Sequence, residues 1–148
     1  MYTYTIELVP DDNGTFLVTC PAFPEVATFG ETKADAVAQA SDAIVEAIAA
    51  RIADKEPVPE PEAGAIAARI PTRVAMKAAI YNRMLQDGVT KYRLMKVMGV
   101  HQPQIDRLLD VRYNTNLDMM DKAMEALHAS FVVEDRDLDG EQPLLERA

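Results

Sequence analysis

Polar and apolar residues alternate along "YTYTIELV", placing Tyr2, Tyr4, Ile6 and Leu8 on one face and Thr3, Thr5 and Glu7 on the other. A period of two is that of a half-buried strand. The turn "PDDNG" follows, with Asn13-Gly14 suited to positive φ. Alternation then resumes through Phe16, Val18 and Cys20, so Tyr2 to Cys20 reads as a β-hairpin. "PAFPEV" interrupts with two prolines, and "ATF" before Gly30 reads as a short third strand. Thr32, with Asp35 three residues on, resembles a capping box. The helix it opens places Val37, Ala40, Ile44, Ile48 and Ile52 on one stripe that must lie on the sheet. That helix stops before "EPVPEPE", an acidic stretch with three prolines that acts as a semi-rigid linker or marks a domain edge. "AIAARIP" fits a fourth strand that either returns to the first sheet or crosses to a partner chain.

From Thr72 the period is helical throughout. Val74, Ile80 or Tyr81, Met84 and Leu85 lead to Gly88, a C-terminal stop. Thr90 caps a second short helix that Gly99-Val100 breaks. A third runs from about Gln102 to Leu109, with Pro103 in its first turn, where a missing N–H costs nothing. "NTN" at Asn114 to Asn116 caps a fourth, with Leu117, Met120, Met124 and Leu127 inward, and "SFVVE" reads as a short terminal strand. The chain thus divides into an α+β unit at residues 1–62, with a strand returning at about 64–70, an all-α unit at 71–133 and an acidic tail at 134–148. The α+β unit is an antiparallel sheet packed with one helix.

Charge sharpens this division. The net charge of −9 is not evenly spread. Residues 1–62 carry 3 Lys+Arg against 12 Asp+Glu, residues 63–130 carry 10 against 6, and residues 131–148 carry 2 against 6. The helical block alone is basic, which suits a polyanion, while the first block suits a basic partner or simply water. No apolar run approaches the roughly 18 residues of a membrane span, and the N-terminus has neither the basic nor the apolar region of a signal peptide. A lone cysteine and two histidines exclude a disulfide framework and argue against a Cys/His zinc site, leaving a reducing cytoplasm as the natural setting.

Two helices joined by a short Gly-containing turn form the helix-turn-helix unit, whose second helix enters the DNA major groove. Counted from Lys91, the positions such a unit buries are Leu94, Met98, Val100, Ile105 and Leu108, all apolar, with Gly99 at the turn. His101, Gln102, Gln104, Asp106 and Arg107 are left outside. Gln pairs bidentately with adenine and Arg with guanine, each worth about 1–3 kcal/mol of discrimination. Thr90, Lys91 and Arg93, with Asn114 and Thr115 at the fourth helix, suit phosphates. One position departs from the usual pattern. Where the two helices cross, a small residue is the rule and Met95 stands here, so either the crossing is wider or the alignment is imperfect.

Two stretches, "NGTFLVTCPAFPEVATFGETKADAVAQASDAI" and "KAAIYNRMLQDGVTKYRLMKVMGVHQPQIDRLLD", resemble the HicB antitoxins that carry a C-terminal helix-turn-helix of the Cro/repressor type. The resemblance covers residues 2 to 133. It implies a partial RNase H-like fold for the first domain, which binds and occludes a HicA-type toxin, a small basic mRNA-cleaving protein. It also implies a C-terminal domain that represses the operon on double-stranded operator DNA as a dimer or higher oligomer. Because an isolated short strand exposes its edge, "SFVVE" is the expected dimer seam. The acidic first domain fits a basic toxin, and Asp11, Asp12, Glu25 and Glu31 are its candidate contacts. The alternative is a repressor whose first domain senses a small ligand and has no toxin.

Other chemistries fare worse. A nuclease on an RNase H-like sheet needs several converging carboxylates, and Glu7 has no second strand acid facing it, so no enzyme, cofactor or metal is expected. Asp135, Asp137, Asp139, Gly140 and Glu146 satisfy the calcium-loop pattern. However, Gln142 stands where an apolar residue belongs, Pro143 follows it, and only two residues remain after Glu146 where an exiting helix should begin, which favours a solvated tail. Cys20 ends a strand with no histidine nearby in sequence and reads as a small core residue, as the inward methionines read as core filler.

Overall fold

The alternating N-terminal segment does not run as one strand. In the computed structural model, which describes residues 2–138, it splits at Ile6 into β1 (Thr3–Thr5) and β2 (Glu7–Pro10). β1 pairs antiparallel with β5 (Ala67–Arg69), Thr3 opposite Arg69 and Thr5 opposite Ala67. β2 pairs with β3 (Phe16–Cys20), and β3 pairs with β4 (Phe23–Gly30). The hairpin is therefore Glu7 to Cys20 rather than Tyr2 to Cys20, and "AIAARIP" returns to this chain's own first strand. At the junction, Ile6 is buried and its N–H donates to the Ile66 carbonyl at 3.0 Å, while the Cys20 thiol donates to the Thr5 carbonyl at 3.3 Å. Burial pushes that thiol's pKa up, as suits a core residue rather than a nucleophile.

The expected third strand "ATF" is only the end of the eight-residue β4. Its ladder with β3 is regular from Ala27 to Gly30 and then slips, so that Cys20 faces Phe23. Pro24, which has no N–H to donate, falls in the irregular part. Phe23 is buried edge-on to Tyr4, ring centroids 4.9 Å apart.

α1 (Lys33–Ala53) covers one face of this sheet, burying Ala36, Ala40, Ile44, Ala47 and Ile48, while Val37 and Ile52 are half-buried at the margins of the expected stripe. Each fully buried Ile stabilises by about 1.5–3 kcal/mol. Thr32 caps the helix by accepting from Asp35 N–H, and the Asp35 carboxylate reaches back to the Glu31 N–H, one residue beyond an ordinary box. Gly30 makes the approach possible. A Cβ there would lie 2.1 Å from the Ala36 nitrogen.

The proline-rich stretch is tied down at several points. Thr3 and Glu62 exchange hydrogen bonds, the Tyr4 hydroxyl donates to the Pro59 carbonyl at 2.6 Å, and the Asn82 amide pairs with both backbone groups of buried Val58. The Tyr81 hydroxyl donates to the Glu56 carbonyl at 2.7 Å. Tyr81 and Asn82 belong to α2 (Thr72–Asp87), which ends at Gly88 in the left-handed conformation. α3 (Lys91–Met98), α4 (Gln102–Leu109) and α5 (Leu117–Ala126) follow, their core built from Leu94, Ile105, Leu108, Met120 and Ala123 against Val74 and Ile80. Ile80 and Tyr81 are both buried, Leu85 lies outward, and Leu117, expected inward at the start of α5, is exposed instead. None of the described helices is long and apolar enough to cross a membrane.

"SFVVE" forms no strand. Phe131 rests half-buried on the core, but Val132 and Val133 are 84% and 94% exposed, because no described segment lies alongside to complete a ladder. Asp139, Gly140 and Glu146 of the calcium-loop pattern lie outside the described residues.

Candidate nucleic-acid interface

Thr90 opens α3 by accepting from the Arg93 N–H at 3.1 Å, and Gly99 closes it at φ 67°, a left-handed conformation that a glycine adopts without strain. This turn brings the inner rows of α3 and α4 together. Leu94, Ile105 and Leu108 are fully buried, and Met98 and Val100 half-buried against the same core, as the spacing predicts. Leu109 is buried as well, and Met95 is half-buried at the crossing.

The outward row of α4 is organised. The Lys91 ammonium and the Gln102 amide both donate to Asp106, at 3.2 and 3.1 Å, and together hold its carboxyl below the usual carboxylate range. Asp106 therefore sits at the middle of the candidate face, fixing the side chains on either side of it. Gln104 is placed differently from its expected role. Its Oε1 accepts from the His101 N–H at 2.8 Å, so it closes the start of α4, with His101 exposed as N-cap.

Arg107 stands apart, in the last turn of α4, with its guanidinium 5.3 Å over the Tyr113 ring. Beneath it lies a buried cation that the reading of the sequence did not single out. Lys77, fully buried in α2, donates to the carbonyls of Arg107, Asp110 and Tyr113 at 2.8, 2.7 and 2.7 Å. All three hydrogens of its ammonium are thus used at the carbonyl end of α4, where the helix dipole favours a cation. Burial pushes its pKa from the ordinary 10.5 down to about 8, with Asp110 opposing the shift and Arg73 adding to it. The signal available in the sequence was a lysine three residues after Val74 and four before Tyr81, at the centre of an apolar stripe.

At the start of α5 the cap is Asn116, accepting from Met119 N–H at 2.8 Å. Asn114 is exposed, and the Thr115 hydroxyl leans on the Arg107 carbonyl at 3.4 Å. Lys91, Gln102 and Asp106 are thus brought together. His101 and Arg107 flank them on α4, while Gln104 and Thr115 are held by backbone groups.

The acids of the first domain separate into two ends. Register places Asp11 and Glu31 just beyond Pro10, Phe16 and Gly30 at one end of the sheet, with Asp12 in the adjoining turn. Glu25 lies toward the other and is gripped by Arg51, Nε 2.7 Å from its carboxylate, which holds its pKa down. Among the described residues, no group of three or more His, Cys, Asp or Glu is placed to hold a metal ion.

A family model described as HicB_like antitoxin of bacterial toxin-antitoxin system matches residues 3–79. The chain is 30% identical to an Antitoxin HicB of Pseudomonas fluorescens, over 86% of this chain and 89% of the relative. It is 31% identical to Antitoxin HicB 1 of Photorhabdus laumondii, over 84% and 81%. It is also 31% identical to an Antitoxin HicB of Escherichia coli, over 84% and 92%.

Proposed function

Since the chain belongs to the HicB antitoxin family, we propose that it neutralises a HicA-type toxin through its acidic N-terminal unit. In the same reading it represses its own operon by binding operator DNA through α3 and α4, a helix-turn-helix. It is a non-enzymatic regulator, and it works as a homodimer or higher oligomer, because one reading helix covers only a half-site and two must stand about 34–36 Å apart. The observation that carries the DNA reading is the α3–α4 pair itself. Its inner row is buried, and its outer row presents His101, Gln102, Asp106 and Arg107 to solvent. The exposed Val132 and Val133, continuing from a half-buried Phe131, support a seam between copies.

Fluorescence anisotropy with the promoter fragment of the chain's own operon tests this. Arg107→Ala is expected to cost about 1–3 kcal/mol at one operator position and to relax specificity there, whereas Lys91→Ala weakens all sequences alike and lowers the salt slope. Equal, uniform losses in both variants would refute the division of roles.

One observation favours the alternative of a ligand-sensing repressor. A groove of about 720 Å³ lies between α1 and the helical unit, floored by Ile52, Met84, Val89 and Leu109. A repressor whose operator affinity responds to a small molecule, and which binds no basic protein, would establish it.

A further inference from the structure

The three-stranded sheet has two faces, and only one is covered. Leu8, Val18 and Thr28 share the face that packs under α1, along with Phe16 and Gly30. The opposite face carries a row in which Val9 stands opposite Leu17 and Leu17 opposite Phe29, one residue from each of β2, β3 and β4. Phe29 is 61% and Val9 52% exposed, with Leu17 half-buried between them. A row of cross-strand apolar neighbours open to water is the chemistry of a contact surface.

Its surroundings indicate what it contacts. On the same face, two residues before Val9 along β2, stands Glu7, paired with Thr19, and on the other side of the row Asp11 and Glu31 follow the ends of β2 and β4. No lysine or arginine lies on β2, β3 or β4. Such a face repels nucleic acid and acidic lipid and attracts a cationic protein.

We infer that the outer sheet face, Val9, Leu17 and Phe29 framed by Glu7, Asp11 and Glu31, is the docking surface for a small basic protein, the toxin of the proposed function. The inference rests on that reading and gives it a location. The apolar row supplies the desolvated centre of the contact and the acids its polar rim, the arrangement in which a few central aromatic and aliphatic side chains dominate affinity. Glu25, engaged by Arg51, is outside this rim.

The probe is the toxin encoded beside the chain, titrated by calorimetry into the full-length protein. The Val9→Thr, Phe29→Ser double variant keeps strand-compatible, exposed side chains and is expected to weaken binding at least tenfold. Leu117→Ser, an equally exposed apolar site on α5, is expected to leave binding unchanged. Replacing Glu7, Asp11 and Glu31 by their amides is expected to slow association and flatten its salt dependence. Hydroxyl-radical footprinting of the wild-type chain provides a readout free of folding effects, with Phe29 protected only when toxin is present. Tight binding of wild type with neither protection nor loss in the double variant overturns the face while leaving the antitoxin reading intact. Protection on self-association alone, without toxin, overturns it in favour of a contact between copies. Failure of wild type to bind the toxin overturns both.

Discussion

Replacing Lys77 by methionine removes a buried ammonium and takes its three hydrogen bonds from the carbonyls of Arg107, Asp110 and Tyr113, which keep the backbone N–H groups of Asp110, Tyr113 and Thr115. The methionine fills nearly the same volume, so packing changes little. Each lost contact is a hydrogen bond from a charged donor, worth about 1.5–3 kcal/mol, or roughly 4.5–9 for the three. Against this stands relief of the cost of burying the charge. The drop in pKa from 10.5 to about 8 puts that cost near 3 kcal/mol, at about 1.4 kcal/mol for each unit. The central expectation is a net destabilisation of about 3 kcal/mol, read as a lower urea midpoint by circular dichroism with an unchanged slope. The same numbers fix a pH signature. The folded pKa lies below the unfolded one, so between about pH 8 and 10.5 the unfolded chain holds more protons and stability rises with pH. Below that window the burial cost is present in full, and above it the cost is gone. In wild type this group contributes about 3 kcal/mol of rise across the window, and Lys77→Met lacks it. A variant whose midpoint matches wild type, with the same pH slope, would refute the reasoning.

Three further outcomes follow from local geometry. Gly30→Ala drives a methyl group into the backbone of Ala36, which cannot move aside cheaply, and is expected to lower stability by about 1–3 kcal/mol or more in the same urea assay. Tyr113→Leu takes the ring from beneath the Arg107 guanidinium. A cation–π contact at an exposed site is worth about 0.5–1 kcal/mol, so discrimination at the operator position that the proposed function assigns to Arg107 should fall about two- to fivefold in competition binding, with Tyr113→Phe restoring it. Asn82→Ala leaves the backbone of buried Val58 unpaired, at about 1–3 kcal/mol. It should speed hydrogen exchange at residues 56–62 before the sheet is affected.

The features legible in the sequence are those set by near neighbours. Thr32, Thr90 and Asn116 each accept a hydrogen bond three residues on, and Gly88 and Gly99 adopt the left-handed conformation that ends a helix. The same holds for the buried row Leu94, Ile105 and Leu108, because a helical stripe is a local periodicity. Pairing is not local. Nothing in "YTYTIELV" shows that its first half joins Ala67–Arg69 and its second half Phe16–Cys20, since both halves alternate alike. "SFVVE" has the composition of a strand and no described neighbour to pair with. Lys77 was hidden for a different reason. A lysine in a helix reads as solvated, and its partners lie 30 to 36 residues away in sequence, on the end of α4 and the loop after it.

Those distant partners also bear on where the molecule divides. Composition places the boundary at the prolines of "EPVPEPE", yet that stretch is bonded to β1 through Thr3 and Tyr4 and to α2 through Tyr81 and Asn82. A proline has no N–H, so a run rich in it offers few backbone donors, and side chains of the flanking elements supply the pairing instead. α2 takes part in both halves. Tyr81 and Asn82 hold the linker, while Lys77, one turn earlier, holds the carbonyl end of the helix that presents Arg107. The family match, which runs from residue 3 to residue 79, ends inside α2 and includes Lys77. The matched segment therefore carries the lysine that anchors α4, and α2 is bonded through its side chains both to the proline stretch before it and to the end of α4 after it.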